Sequence, residues 1–301
     1  KLIIMDKTTF KFLWKDLERK KGQPFFARKL VVKNFDDFSK EVFYSNGKDR
    51  LRLVKSLYSG DIYLLKRAFS EKFCKEIIKG AWKINKERKG SFHKMKGKCP
   101  NFHRLIDDRV NKNYSYDHVK RAFYFFPFNK DPLNMFETIY KRWRVIKYVG
   151  GRKYNEFENN TAHDQVVDRF QVVQYPTGAG HLETHSDPYH NQRFFISGFL
   201  SKRGKNFSQG GLYCYKKDRS IVDAEKYIDI GDMLIGYATV LHGVSKIDPV
   251  KKVNFNSPRG RWFLGLYTND TDNIKKRRTT VPRGKSFRGK SFPAPSLPLQ
   301  Q

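Results

Sequence analysis

The sequence predicts an α+β protein in which helices brace a jelly roll, the double-stranded β-helix architecture. Three observations predict it. Five short runs after residue 165 have the texture of strands and are parted by Gly, Pro, Asn and Asp. Two stretches before residue 165 repeat their apolar residues at helical spacing. With 301 residues, 26 Phe and 16 Tyr among them, the chain has apolar area enough for a sizeable core.

In chain order, residues 1–60 mix Lys and Arg with Phe, Trp and Leu without a clean period, and are expected to form a peripheral helical or extended segment. Their opening, KLIIMDKTTF, is too short and too polar for a signal peptide. Residues 61–165 are expected to be a helical support region. In SEKFCKEIIKGAWKINKER, Ser70 is placed to cap the first amides, while Phe73, Ile77, Ala81 and Ile84 share one face. In DPLNMFETIYKRWRVIKYVGG, Asp131 is placed as the cap, Pro132 in the first turn and Gly150 at the exit. Phe136, Ile139, Tyr140, Trp143 and Ile146 form the apolar stripe of that helix.

Residues 166–270 are expected to hold the jelly-roll core. Its predicted strands are RFQVVQY, RFFISGFL, GGLYCYKK, GDMLIGYA and RWFLGLYT, with Gly210 and Gly211 serving a tight turn before the third. Residues 271–301 carry eight Lys and Arg against Asp272 alone, a net +7, and repeat RGKSF at 283–287 and 288–292. A segment so charged is expected to be disordered, as a tether to a polyanion or as a solvated tail.

Over the whole chain, 61 Lys and Arg face 30 Asp and Glu, a formal charge of +31. Such an excess favours acidic partners, whether an acidic polymer such as nucleic acid or glycan, an anionic metabolite or a membrane surface; its plain alternative is solubility. Cys74, Cys99 and Cys214 are far apart and form no CxxC pair. That argues against a disulfide framework or a thiolate zinc site, and the expected compartment is reducing and cytoplasmic. No run of about 18 apolar residues is present to span a membrane. Oligomeric state leaves no mark on the sequence.

The chemistry concentrates in QYPTGAGHLETHSDPYH, residues 174–190. Residues two apart on a strand face the same way, so His185 and Asp187 at a strand end can grip one ion. A third ligand is available in His242, in LHGV directly after the predicted strand GDMLIGYA. Two imidazoles and one carboxylate on one face make the facial triad of non-haem Fe(II) oxygenases, with positions left open for substrate and oxygen. His181 and His190 flank the pair and are assigned to the loop or the substrate rim. His93, His103, His118 and His163 lack an acidic or cysteine partner at ligand spacing and are expected to be structural.

Such a triad needs an electron source to reduce O2. If that source is 2-oxoglutarate, its distal carboxylate needs a cation inside the barrel. Arg261 opens the strand RWFLGLY, with Phe263, Gly265 and Tyr267 on the same face, and its planar fork can take a carboxylate bidentately. Arg259 shares that parity but precedes Gly260 and falls in the loop.

Residues 168–270 resemble the Fe(II)/2-oxoglutarate-dependent dioxygenases, on their prolyl-hydroxylase-like branch. QYPTGAGHLETHSDP is similar to the turn that leads into that branch's HxD motif. FFISGFLSK, SQGGLYCY, GDMLIGYATVLHGV and RWFLGLY resemble its following strands. The resemblance implies His185, Asp187 and His242 as iron ligands, Arg261 as the anchor of 2-oxoglutarate and Tyr175 as a further residue of that pocket. In the family the basic residue usually follows the distal histidine more closely than Arg261 follows His242. Lys251 and Lys252 lie nearer the usual place, but within SKIDPVKKVNFNSP, which reads as an inserted loop. The implied cofactors are Fe(II), 2-oxoglutarate as co-substrate and O2, with ascorbate as reductant. Related halogenases lack the carboxylate ligand, so Asp187 points to hydroxylation.

The substrate is open: a prolyl or other peptide side chain, a glycan, or a small anionic metabolite. A nucleic-acid base suits the charge, but the paired arginines expected after the distal histidine of such demethylases are absent. The non-enzymatic alternative is a basic polyanion-binding protein on a catalytically inactive jelly roll, whose binding would weaken with salt.

Overall fold

A computed structural model of the chain describes residues 8–284 and 292–297. The N-terminal part runs α1 (Phe10–Lys21), β1 (Leu30–Asn34), α2 (Phe35–Tyr44), α3 (Gly47–Tyr58), β2 (Ile62–Lys66) and α4 (Glu71–Glu87). There follow β3 (Phe102–Ile106), α5 (Asp108–Asn111), β4 (His118–Phe125) and α6 (Phe136–Val149). The remainder is β5 (Val166–Pro176), β6 (His181–Ser186), β7 (Phe194–Phe199), β8 (Gly211–Tyr215) and β9 (Ile221–Asp223), with a 3-10 turn at Ala224–Tyr227. Then come β10 (Met233–Tyr237), β11 (His242–Ser245), β12 (Gly260–Asp270) and β13 (Val281–Pro282).

The strands form one rolled sheet in the order β1-β2-β10-β7-β12-β5-β4-β6-β11-β8-β9, with β3 added to β4 and β13 to β6. All pairings are antiparallel except β1 with β2. The roll is made at β4. Its first residues, His118 and Val119, pair with β6, and Arg121 to Phe125 pair with β5. One strand therefore belongs to both walls, and side chains two apart along it look into the space between them.

The helices pack on the outer face of the larger wall. Trp143 of α6 meets Phe170 of β5 edge-on at 5.6 Å between ring centroids. Ser70 caps α4 as the sequence predicts, accepting from the Phe73 amide at 3.2 Å. Asp131 differs in detail. The helix begins only at Phe136, because Pro132 and Asn134 lie in a turn, and Asp131 reaches over that turn to accept the Phe136 amide at 2.7 Å.

Three expectations about organisation need correction. Of the segment 1–60, the described residues 8–60 are not peripheral: Trp14, Phe38, Val42 and Leu57 are fully buried, and Trp14 donates its indole N–H to the Val149 carbonyl at 2.7 Å. Burying a Phe-sized side chain stabilises a fold by roughly 1.5–3 kcal/mol, so this segment is part of the core. Residues 61–165 are not only a helical support, since β2, β3 and β4 join the sheet; their alternation is masked because both faces of β4 are buried. Residues 271–284 are not a solvated tail. Thr271 is fully buried, the Arg278 guanidinium pairs with Asp270 at 2.6 Å, and β13 pairs with β6. Phe292 and Leu297 are buried as well. Arg277 and Arg278 find carboxylates in Asp272 and Asp270, on β12 and its exit, which a composition cannot foretell. Most of the RGKSF repeat lies outside the described residues. Among the described residues, no helix is long and apolar enough to cross a membrane.

Candidate metal centre

β6 and β11 are neighbours in the smaller wall, and His185 stands directly opposite His242 in their register. Their ring centroids are 4.2 Å apart. Each ring is held by its Nδ1, which donates to the carbonyl two residues earlier: Glu183 at 2.9 Å for His185, Val240 at 2.8 Å for His242. With Nδ1 carrying the proton, both Nε2 lone pairs are free to act as ligands. Burial, and then the neighbouring His185, push the His242 imidazolium down to about 4. His242 is therefore neutral at neutral pH, as a ligand must be.

Asp187 follows β6, its amide tied to the Ala238 carbonyl at 2.9 Å. Its carboxylate oxygens lie 3.7 Å from His185 Nε2 and 3.8 Å from His242 Nε2. Those separations are too long for hydrogen bonds and leave room for a common centre. All three ligand atoms lie within 4.8 Å of one another. Thr280, just before β13, donates to Asp187 Oδ1 at 2.8 Å, and Phe195 stacks on His242 at 4.0 Å.

Arg261, 1% exposed, projects from the start of β12 into the same cavity of about 650 Å³. Its Nε pairs with Glu225, which also accepts the Leu212 amide at 3.1 Å. Neither terminal nitrogen of the guanidinium has a partner among the described residues. The rings of Tyr175, Phe199 and Phe263 stand 5.3–5.7 Å from it. Tyr175 is fully buried, and its hydroxyl has no hydrogen-bond partner among the described residues. A fork fixed at Nε, two unused donors and an unsatisfied hydroxyl fit a carboxylate.

This arrangement gives Gly211 a role other than the tight turn expected of it. Its φ is +125°, and a Cβ there would sit 2.2 Å from Glu225 Cγ. The glycine makes room for the carboxylate that holds Arg261. Lys251 is ion-paired to Asp248 on the surface, Lys252 and Arg259 are exposed, and none of the three lines the cavity.

The histidines outside the triad sort differently from the sequence reading. His181 is a strand residue opposite Val119, bonded to Ala179 and Asp117; neither it nor His190 lines the cavity. His93 and His118 do line it. His103 bonds the Arg88 carbonyl at 3.0 Å. Missed altogether are Lys120, Arg169, Glu225 and Thr280. HVKRAFYF places His118, Lys120, Ala122 and Tyr124 on one face, but both faces of β4 are buried and its sequence carries no clear alternation to single out Lys120.

No family model matches the chain, and no curated protein does. Among solved structures it is similar to a prolyl hydroxylase from Trichoplax adhaerens, solved with a peptide fragment of the oxygen degradation domain of hypoxia inducible factor. Identity is 13%, over 79% of this chain and 94% of that one, with a TM-score of 0.48. A prolyl-4-hydroxylase from Pseudomonas putida is 11% identical over 72% of this chain and 96% of its own, TM-score 0.45. An oxidoreductase of the 2OG-Fe(II) oxygenase family from Burkholderia pseudomallei is 11% identical over 85% and 100%, TM-score 0.41. Likeness at this level decides nothing about chemistry, which has to be argued from the side chains of the site itself.

Proposed function

We propose that the chain is a non-haem Fe(II) oxygenase that couples oxidative decarboxylation of 2-oxoglutarate to hydroxylation of a substrate. The observation that carries this reading is one cavity holding two imidazole donors and a carboxylate within 4.8 Å, together with a buried guanidinium whose terminal nitrogens are unused. His185, Asp187 and His242 would hold the iron; Arg261, with the Tyr175 hydroxyl, would hold the distal carboxylate of 2-oxoglutarate. When bound, iron and 2-oxoglutarate supply O2 reduction, with release of succinate and CO2 and insertion of one oxygen atom into a C–H bond. Ascorbate would keep the iron reduced.

The chain's own residues have definite tasks in this reading. The Glu183 and Val240 carbonyls fix both imidazoles in one tautomer and orientation, so ligation costs little rearrangement. Glu225 fixes Arg261 in the same way and leaves it aimed into the cavity. Phe195 and Phe263 cover the site with apolar surface, which keeps bulk water from the reacting centre.

The test is succinate formation with Fe(II), 2-oxoglutarate and ascorbate, beside a direct measurement of Fe(II) bound per chain. Wild type is expected to bind one iron and form succinate, and His185→Ala to fall to background in both. Equal background signals from the two proteins would instead favour a binding protein on an inactive jelly roll.

A further inference from the structure

Three cations line this cavity without an ion pair among the described residues, although the Asp187 carboxylate of the same cavity acts on Lys120 at longer range. They come from the inward faces of adjacent strands: Arg104 on β3, Lys120 on β4 and Arg169 on β5. Lys120 is 9% exposed and has no hydrogen bond or ion pair among the described residues. The Arg169 Nε is buried and unbonded, and the side chain's one hydrogen bond is to Gln171 at 3.2 Å. Arg104 has no hydrogen bond or ion pair from its side chain among the described residues and lies against the rings of Phe92 and Tyr114, at 4.8 and 5.4 Å. The carboxylates on the wall are both committed: Asp187 to the triad, Asp272 to Arg277 and the Met95 amide.

Folded chains seldom bury a cation unpaired, because its lost hydration is not repaid. Here burial, and then Arg169, push the Lys120 ammonium down to about 8. An incoming anion would supply the missing partner and reverse that pressure. Aromatic rings line the space around these charges: Arg169 lies over Tyr124 and Tyr267 at 5.3 and 5.1 Å. A cavity of about 650 Å³ has the size of a small-molecule site.

We infer that Lys120 and Arg169 form a second anion site in the cavity, which holds the carboxylate or phosphate group of a small organic substrate whose body rests on the tyrosine rings. Calling that anion the substrate rests on the oxygenase reading; the anion site itself stands on the cations alone.

Phenyl phosphate and benzoate serve as probes, titrated calorimetrically into anaerobic protein carrying Fe(II) and 2-oxoglutarate, and again into metal-free protein. At least one probe is expected to bind saturably and more weakly as salt rises, and the one that binds identifies phosphate or carboxylate as the group recognised. Lys120→Met and Arg169→Met, with folding checked by thermal melting, are each expected to weaken that probe by about tenfold or more. Their affinity for 2-oxoglutarate should change by less than about threefold, since Arg261 is untouched. Three results would overturn the inference: no saturable binding of either probe, wild-type affinity in both variants, or loss of 2-oxoglutarate rather than the probe in Lys120→Met. Probe binding to metal-free protein with the same dependence on Lys120 and Arg169 supports the anion site even if Fe(II) uptake fails, so the two readings fail separately.

Discussion

Asp168 and Arg169 are neighbours on β5 and look to opposite faces of the same wall. Asp168 faces the helices, fully buried, and is saturated: it pairs with Lys147 of α6 and accepts from Tyr140 at 3.2 Å and Thr268 at 2.8 Å. Arg169 faces the cavity, and its buried Nε bonds nothing among the described residues. The outer face spends its charges on holding α6 to the sheet. The inner face leaves Lys120, the Arg169 Nε and the ends of Arg261 without hydrogen-bond partners among the described residues. Buried charges left unpaired around a cavity, when the buried charge on the other side of the same strand is fully paired, mark where a ligand completes the structure.

The largest effect expected from this contrast is on the outer face. Asp168→Asn removes the carboxylate that Lys147 needs and should cost about 3–5 kcal/mol, read from urea unfolding. Joint replacement by Lys147→Met and Asp168→Leu should recover most of that loss, because no charge is then left buried alone. A single variant as stable as wild type would mean the pair is not the clasp described.

On the inner face the first effect is on ligand affinity. Arg261→Ala should raise the concentration of 2-oxoglutarate needed by about 10- to 100-fold, the worth of a charge-assisted contact of roughly 1.5–3 kcal/mol. Lys251→Ala is the control and should leave it unchanged, because Lys251 lies on the surface with Asp248. The reverse pattern would move the anchor out of the cavity.

Lys120→Met sharpens the contrast by its sign. Removing a saturated charge destabilises, whereas removing this one should stabilise ligand-free protein by on the order of 2 kcal/mol at neutral pH. The ammonium is pushed down to about 8 when folded and titrates near 10.5 when unfolded. Between those values the unfolded chain binds the extra proton, so this group's penalty on wild type shrinks as pH rises and the variant's advantage shrinks with it. Melting curves from pH 7 to about 10.5 measure this; a variant less stable than wild type at pH 7 would contradict it.

How much of this is legible in the sequence follows from range. His185 and Asp187 are two apart at the end of one strand, and His242 opens the strand beside it soon after the predicted strand GDMLIGYA, so local pattern is enough to nominate them. Arg261 is legible for the same reason, as a cation opening an apolar strand. Glu225 is not, because its meaning depends on Gly211 making space for it and on Arg261 standing beyond. Lys120 sits in a strand buried on both faces, whose sequence does not alternate clearly. Trp14 and β13 fail for the same physical reason: their partners, Val149 and β6, are distant in sequence, and composition records charge but not the carboxylates it meets.

β13 also supplies the smallest effect. It pairs Pro282 with His185 and Val281 with Ser186, and the Arg283 amide donates to the Thr184 carbonyl at 2.8 Å. That strap sets Thr280 beside Asp187, where its hydroxyl donates at 2.8 Å. An outer partner of a ligating carboxylate typically accounts for about 10- to 100-fold in metal affinity, and the lower end suits a half-exposed threonine. Thr280→Val keeps the shape and the strand but removes the donor, so Fe(II) affinity should drop about tenfold with unchanged melting of the metal-free protein. Thr280→Ser should restore it. If valine binds iron as wild type does, the strap is only a neighbour of the site, and the inner face begins at β6 rather than at the C-terminal segment laid along it.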